Sequence, residues 1–155
     1  MFITAAESCT GGLLSQSIVS VPGSSAWFGN SFITYSNISK HKVLGVSKET
    51  LKSFGAVSEE VVREMVIGAI NESKANLGIA ISGIAGPGGG SAERPVGTVC
   101  LAWKLNKDLE LLVSQSHRCK EILKKLSLNP FEGNRNEVRY QTVVKALEEA
   151  IVLMN

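Results

Sequence analysis

Phe2-Ile3-Thr4-Ala5-Ala6-Glu7-Ser8-Cys9-Thr10-Gly11-Gly12-Leu13-Leu14 runs from an apolar stretch through a polar turn and a glycine pair, and its reading sets the fold. Phe2 to Ala6 predicts a short buried strand. Thr10-Gly11-Gly12 then opens an amphipathic helix that carries Leu13, Leu14 and Ile18 and ends near Val19. Ser8 is thereby placed at a strand-to-helix turn. A hydroxyl attacks an amide only if a base takes its proton and donors hold the oxyanion, and backbone N–H groups at a helix start are such donors. Pattern alone also allows Ser8 to be a simple helix cap, with Gly11 and Gly12 packed against the sheet.

Outward from this segment, Val21-Pro22-Gly23-Ser24-Ser25 is turn chemistry, and Ser31 to Ser36 predicts a second strand. Asn37 is expected to cap a short helix through Val43, with Lys40 on its first turns. Ser47 and Ser58 are the expected N-caps of two further helices. The second has Glu59 and Glu60 in its positive first turn and Val61, Val62, Met65, Val66 and Ala69 as its apolar face. Leu77 to Ser82 reads as a buried strand and Gly83 to Gly97 as a glycine-rich loop interrupted by Pro87 and Pro95. Thr98 to Leu105 and Leu109 to Ser116 read as a hairpin around Asn106-Lys107-Asp108, and the last helix spans about Asn136 to Leu153. This alternation predicts one α/β domain over residues 1–155, a three-layer α/β/α sandwich with a mixed, mostly parallel sheet. Ligands of such sheets gather where strands end and helices begin, which is where Ser8, Ser82 and the glycine loop fall.

The chain has 155 residues, 44% of them hydrophobic, 19% charged and 6% aromatic, which is globular rather than disordered composition. A net charge of +2 is no footprint for nucleic acid, and Lys120, Lys124 and Lys125 read as a solvated helix face. Cys9, Cys100 and Cys119 are odd in number and lack a CxxC, so neither a disulfide framework nor a zinc site is encoded. No apolar run reaches the ~18 residues of a membrane span, and no signal peptide is read at Met1-Phe2-Ile3-Thr4. The expected location is the cytoplasm.

The base for Ser8 is not a histidine, because His41 and His117 belong to no Ser-His-Asp arrangement. Lys40 is the candidate, since desolvation lowers an ammonium's proton affinity, with Tyr35 relaying or positioning the proton; an exposed helix lysine is the alternative. Cys9 competes as nucleophile, with Glu7 and Lys40 to serve it, against a buried inert thiol. Ser82-Gly83-Ile84-Ala85-Gly86-Pro87-Gly88-Gly89-Gly90 fits an anion-binding nest or a mobile lid, but neither the Walker A nor the dinucleotide pattern. Arg135 and Arg139 lie four apart around a helix start, suited to a phosphate or to pairing with Glu132 or Glu137. Trp27 and Phe28 suit either a self-association surface or core packing.

Ala6-Glu7-Ser8-Cys9-Thr10-Gly11-Gly12, Thr34-Tyr35-Ser36-Asn37, Lys40, Gly55-Ala56-Val57-Ser58, Ser82-Gly83-Ile84-Ala85-Gly86-Pro87 and Pro95-Val96-Gly97-Thr98-Val99 together resemble the CinA C-terminal domain family, which includes nicotinamide-nucleotide amidases. The resemblance covers nearly the whole chain. It implies hydrolysis of the carboxamide of nicotinamide mononucleotide to nicotinic acid mononucleotide and ammonia, in pyridine-nucleotide salvage, with no metal or organic cofactor. By position it implies Ser8 as nucleophile, Lys40 as its base and Tyr35 beside them. Cys9, Thr10 and Gly11 would bind substrate through their amides, Ser82, Gly83 and Gly86 would flank it, and Arg135 would be a further substrate contact. The expected partner is the small-molecule nucleotide, with neither nucleic acid nor membrane, and self-association into a homo-oligomer is left open. The chain departs from the family's pattern by beginning at the first strand and by an inserted helical stretch over about residues 119–130. A catalytically silent nucleotide-binding or regulatory module is the alternative reading.

Overall fold

The computed structural model describes residues 1–105, the backbone of 111–113 and residues 131–154. The expected turn at 106–108, the basic cluster at 120–125, the stretch 119–130, His117 and Cys119 lie outside the described residues. Five strands form one sheet: β1 (Ile3–Glu7), β2 (Phe28–Ile33), β3 (Leu77–Gly83), β4 (Val99–Leu105) and β5 (Leu111–Val113), in the order β2-β1-β3-β4-β5. β1 pairs parallel with both β2 and β3, whereas β3–β4 and β4–β5 pair antiparallel. Only β4 therefore opposes the common strand direction, which is the mixed sheet that the alternation predicts.

Helices cover both faces. On one side lie α1 (Leu13–Val19) and α5 (Arg135–Met154); on the other lie α2 (Asn37–Leu44), α3 (Lys48–Phe54) and α4 (Glu59–Ser73). The alternation of side chains along β1 supplies both layers. Ile3 and Ala5 pack with Leu14, Ile18, Val138 and Ala146 on the first face, and Ala6 packs with Leu44, Val62, Met65 and Val66 on the second. Trp103 fixes α5 to the sheet, its buried indole N–H donating to Ala146 O at 3.0 Å. Gly68 on α4 faces the Leu44 carbonyl so closely that a Cβ has no room, which is how α2 and α4 come into contact.

The expected second strand is shifted. It starts at Phe28 and ends at Ile33 because Asn30 pairs with Thr4, across an irregularity between Ile3 and Thr4. Residues 34–36 leave the sheet because they turn into α2. The cap of that helix is Ser36, not Asn37: Ser36 Oγ accepts from Ser39 N at 3.1 Å and Ser39 Oγ accepts from Ser36 N at 3.1 Å, a reciprocal capping box. Ser47 and Ser58 cap α3 and α4 as their spacing predicts. Trp27 and Phe28 are half-buried and pack against the core.

From β1 the chain goes to β2 on one side and later to β3 on the other. The order therefore reverses between β1 and β3, and the crevice beyond their C-terminal ends is where ligands of such sheets bind. Ser8 follows β1 and Ser82 lies at the end of β3.

Candidate active site

Ser8 continues the β1 ladder, its N–H donating to Ile81 O at 3.0 Å, and its side chain falls on the same sheet face as Ala6. That face is the one covered by α2. Lys40, one turn into α2 and with no exposed surface, reaches back to it: Nζ lies 2.9 Å from Ser8 Oγ, 2.7 Å from Thr34 O and 3.3 Å from Tyr35 O. Burial pushes the Lys40 ammonium down from 10.5 to about 8, and the nearby Cys9 thiol opposes part of that shift. In the neutral amine two N–H groups satisfy the Thr34 and Tyr35 carbonyls, which leaves the lone pair for the Ser8 hydroxyl proton. The capping box fixes this geometry, because it sets where α2 begins and hence which way Lys40 points.

The start of α1 is not available to a ligand, contrary to what a bare strand-turn-helix pattern suggests. Glu7 is fully buried, and its carboxylate accepts from Gly12 N at 2.9 Å, Leu14 N at 3.2 Å, Ser15 N at 2.9 Å and Ser15 Oγ at 2.5 Å. It therefore neutralises the helix's positive end rather than serving Cys9. The candidate donors lie one turn earlier, where the Cys9 amide faces its own sulfur. Gly11 N–H donates to Ser8 O at 3.0 Å, closing a tight turn, and among the described residues the amides of Cys9 and Thr10 donate to no other residue.

The Cys9 thiol is buried in the core cluster with Leu14, Ile81 and Val99, and a Cβ on Gly83 would meet its sulfur at 3.1 Å. Burial pushes it up to about 11, so it is a packed thiol and not a poised thiolate. Tyr35, 63% exposed, meets Lys40 through its carbonyl, while its phenol oxygen accepts from Arg135 Nη2 at 3.1 Å. Arg135 Nη1 also donates to Gly86 O at 2.7 Å. This residue thus bridges the β3–β4 loop and the β2–α2 loop over the site.

Ser82 is buried and donates to Ala56 O at 2.7 Å, tying the Gly55–Ser58 segment to the end of β3. Gly83 is required by close packing, with Val99 Cγ2 at 2.8 Å and Thr98 O at 2.9 Å from any Cβ. The glycine-rich loop is folded on itself through Ile84 N to Thr98 O at 2.9 Å, Gly97 N to Ile84 O at 2.8 Å and Ser91 N to Arg94 O at 2.8 Å. Arg94 then donates to Phe54 O at 2.9 Å.

Arg139, read from sequence only as a companion to Arg135, donates to Thr10 O at 2.7 Å and so touches the Ser8 turn itself. No local signal marks that contact, which spans the chain from end to end. Among the described residues no cluster of His, Cys, Asp and Glu could hold a metal ion, and no helix is long and apolar enough to cross a membrane. A groove of about 640 Å³ between α2 and α3, lined by Ile38, His41, Leu51 and Lys52 among others, does not reach Ser8, which is 7% exposed.

The model of the CinA C-terminal domain matches residues 1–154. The nicotinamide-nucleotide amidohydrolase PncC of Enterobacter agglomerans is 45% identical over 150 residues, covering 97% of this chain and 83% of that protein. The protein of the same name from Escherichia coli K12 is 45% identical over 146 residues, covering 94% and 80%. The crystal structure of competence/damage inducible protein CihA from Agrobacterium tumefaciens superimposes with a TM-score of 0.86 at 40% identity, covering all of this chain and 86% of that one. The chain belongs to the CinA C-terminal domain family.

Proposed function

We propose that this protein hydrolyses the carboxamide of nicotinamide mononucleotide, giving nicotinic acid mononucleotide and ammonia, with Ser8 as nucleophile and Lys40 as its base. The single observation that carries the reading is the buried Lys40 amine at 2.9 Å from Ser8 Oγ, with its other two contacts made by carbonyls. An exposed helix lysine needs no such cage. Relatives at 45% identity are named nicotinamide-nucleotide amidohydrolase PncC, which supports this substrate.

In this mechanism neutral Lys40 takes the Ser8 proton as Oγ attacks the carboxamide carbon, and the carbonyl oxygen becomes an oxyanion. The Cys9 and Thr10 amides, which donate to no other residue among those described, receive it. The Lys40 ammonium then gives its proton to the departing nitrogen, so that ammonia leaves and Ser8 carries the acyl group. Water adds to that ester by the same proton path, releasing the carboxylate and restoring Ser8. Arg135 is assigned to the phosphate, the Tyr35 phenol to the approach beside it, and Ser82, Gly83 and Gly86 to the wall at the end of β3.

The test is ammonia release from nicotinamide mononucleotide by the wild type, Ser8→Ala and Lys40→Ala. Each substitution is expected to lower turnover by orders of magnitude with the circular dichroism spectrum intact. Near wild-type turnover by Ser8→Ala refutes the dyad. Thermal stabilisation of the wild type by the nucleotide without ammonia release would make the chain a silent binding module instead.

A further inference from the structure

Two hydrogen bonds and a shared peptide group connect Arg139 to the main-chain donor that follows Ser8. Arg139 Nη2 donates to Thr10 O at 2.7 Å; the N–H of the same peptide group, on Gly11, donates to Ser8 O at 3.0 Å; and the N–H that shares a peptide group with Ser8 O belongs to Cys9, which donates to no other residue among those described. Thr10 O also accepts from Leu13 N at 3.1 Å, so this peptide plane is held from two sides. Hydrogen bonds in such a chain polarise one another: a cation on a carbonyl makes the N–H of that peptide a stronger donor, and the effect passes to the next group. The Cys9 amide is the main-chain donor directly after the nucleophile, a position at which a developing oxyanion is received.

The charge of Arg139 also acts at Cys9, where it favours the anionic form. It is half-buried, its Nη1 donates to the neutral Asn136 Oδ1 at 3.2 Å, and among the described residues no carboxylate pairs with it. A cation so placed favours negative charge that appears at the turn.

We propose that Arg139 is a positioning residue for the oxyanion, holding and polarising the Thr10–Gly11 and Ser8–Cys9 peptide groups so that the Cys9 amide is aimed and strengthened as a donor. This rests on the reading of Ser8 as the nucleophile. Arg139 does not touch substrate, so its effect falls on the chemical step. The test compares Arg139→Met with the wild type in ammonia release and in the rate at which Ser8 is phosphonylated by a fluorophosphonate probe, read by intact-protein mass.

Arg139→Met is expected to lower kcat and the phosphonylation rate by about ten- to a hundredfold, below the full loss of an oxyanion donor. KM should stay within about twofold and the Lys40 inflection near pH 8 should be unmoved. Added guanidinium ion should restore part of both rates. A purely structural role would instead lower the melting temperature, change KM together with kcat and resist such rescue. Should Arg139→Met not fold, Arg139→Lys, which keeps the charge but not the fork, is expected to lower kcat and the phosphonylation rate together by about three- to tenfold with KM unchanged, and equal rates in it overturn the inference. Unchanged kcat and phosphonylation in a folded variant overturns this inference and leaves the proposed function standing. A wild type that neither releases ammonia nor is labelled at Ser8 overturns both.

Discussion

The buried amine of Lys40 makes a quantitative demand on the pH dependence of turnover. With a pKa of 10.5 about 0.03% of a lysine is neutral at pH 7, whereas at about 8 the neutral fraction is about 9%, so burial alone supplies about 300-fold more base. If Lys40 must be neutral to accept the Ser8 proton, kcat/KM for ammonia release should rise tenfold per pH unit below 8 and level off above it. The assay is ammonia release from pH 6 to 9.5 under subsaturating substrate. Lys40→Arg keeps the charge but never supplies a neutral form, and should lose about 10²–10⁴-fold at every pH. The same shift makes a stability prediction with a definite sign. Below about pH 8 both folded and unfolded chains hold the proton, and above 10.5 neither does; between them the unfolded chain binds more, so stability rises with pH across that window, by up to about 3 kcal/mol. Urea midpoints for wild type minus Lys40→Met should show this slope. A pH–rate profile flat from 6 to 9, or one that inflects near 10, would refute the reasoning.

Other expectations concern the scaffold around Ser8 and Lys40. Glu7→Gln removes a carboxylate that four donors share at the start of α1, and should cost about 1–3 kcal/mol, read as a lowered urea midpoint; an unchanged midpoint would mean that the charge contributes nothing there. Gly83→Ala forces a Cβ to within 2.8 Å of Val99 Cγ2 and 2.9 Å of Thr98 O and should destabilise by about 1–3 kcal/mol in thermal melts. Cys9→Ala should keep ammonia release near the wild-type rate, since a thiol pushed up to about 11 is protonated at neutral pH. Loss of turnover in that variant would return the thiol to the list of nucleophiles.

The fold was legible where local chemistry decides it. The apolar run into Ser8, the caps Ser47 and Ser58 and the Val61-Val62-Met65-Val66 face of α4 are all signals carried within a few residues. The limits of β2 were not, because its pairing with Thr4 and its early end at Ile33 are set by β1 and by the Ser36 capping box. Ser36 also outcompetes Asn37 as cap for a reason visible only in context: Ser39 lies three residues on and returns the bond. The identities of Ser8 and Lys40 could be picked out as residue types, but their meeting depends on the phase of α2 relative to the end of β1. Sequence pattern does not state that phase.

Glu7 shows a different kind of loss. A glutamate beside a candidate nucleophile reads as part of the chemistry, yet strand alternation sends neighbouring side chains to opposite faces of the sheet. Ser8 therefore meets α2 while Glu7 meets α1, and the two carry out separate tasks from adjacent positions. The consequence for function is that the α1 terminus is electrostatically spent before substrate arrives. In the proposed mechanism, stabilisation of the oxyanion then falls to the Ser8–Gly11 turn, which Arg139 of α5 holds through Thr10 O from the opposite end of the chain. The strand-turn-helix pattern thus marks Ser8, while the proposed oxyanion role falls to the Cys9 and Thr10 amides of the turn and not to those that Glu7 holds at the start of α1.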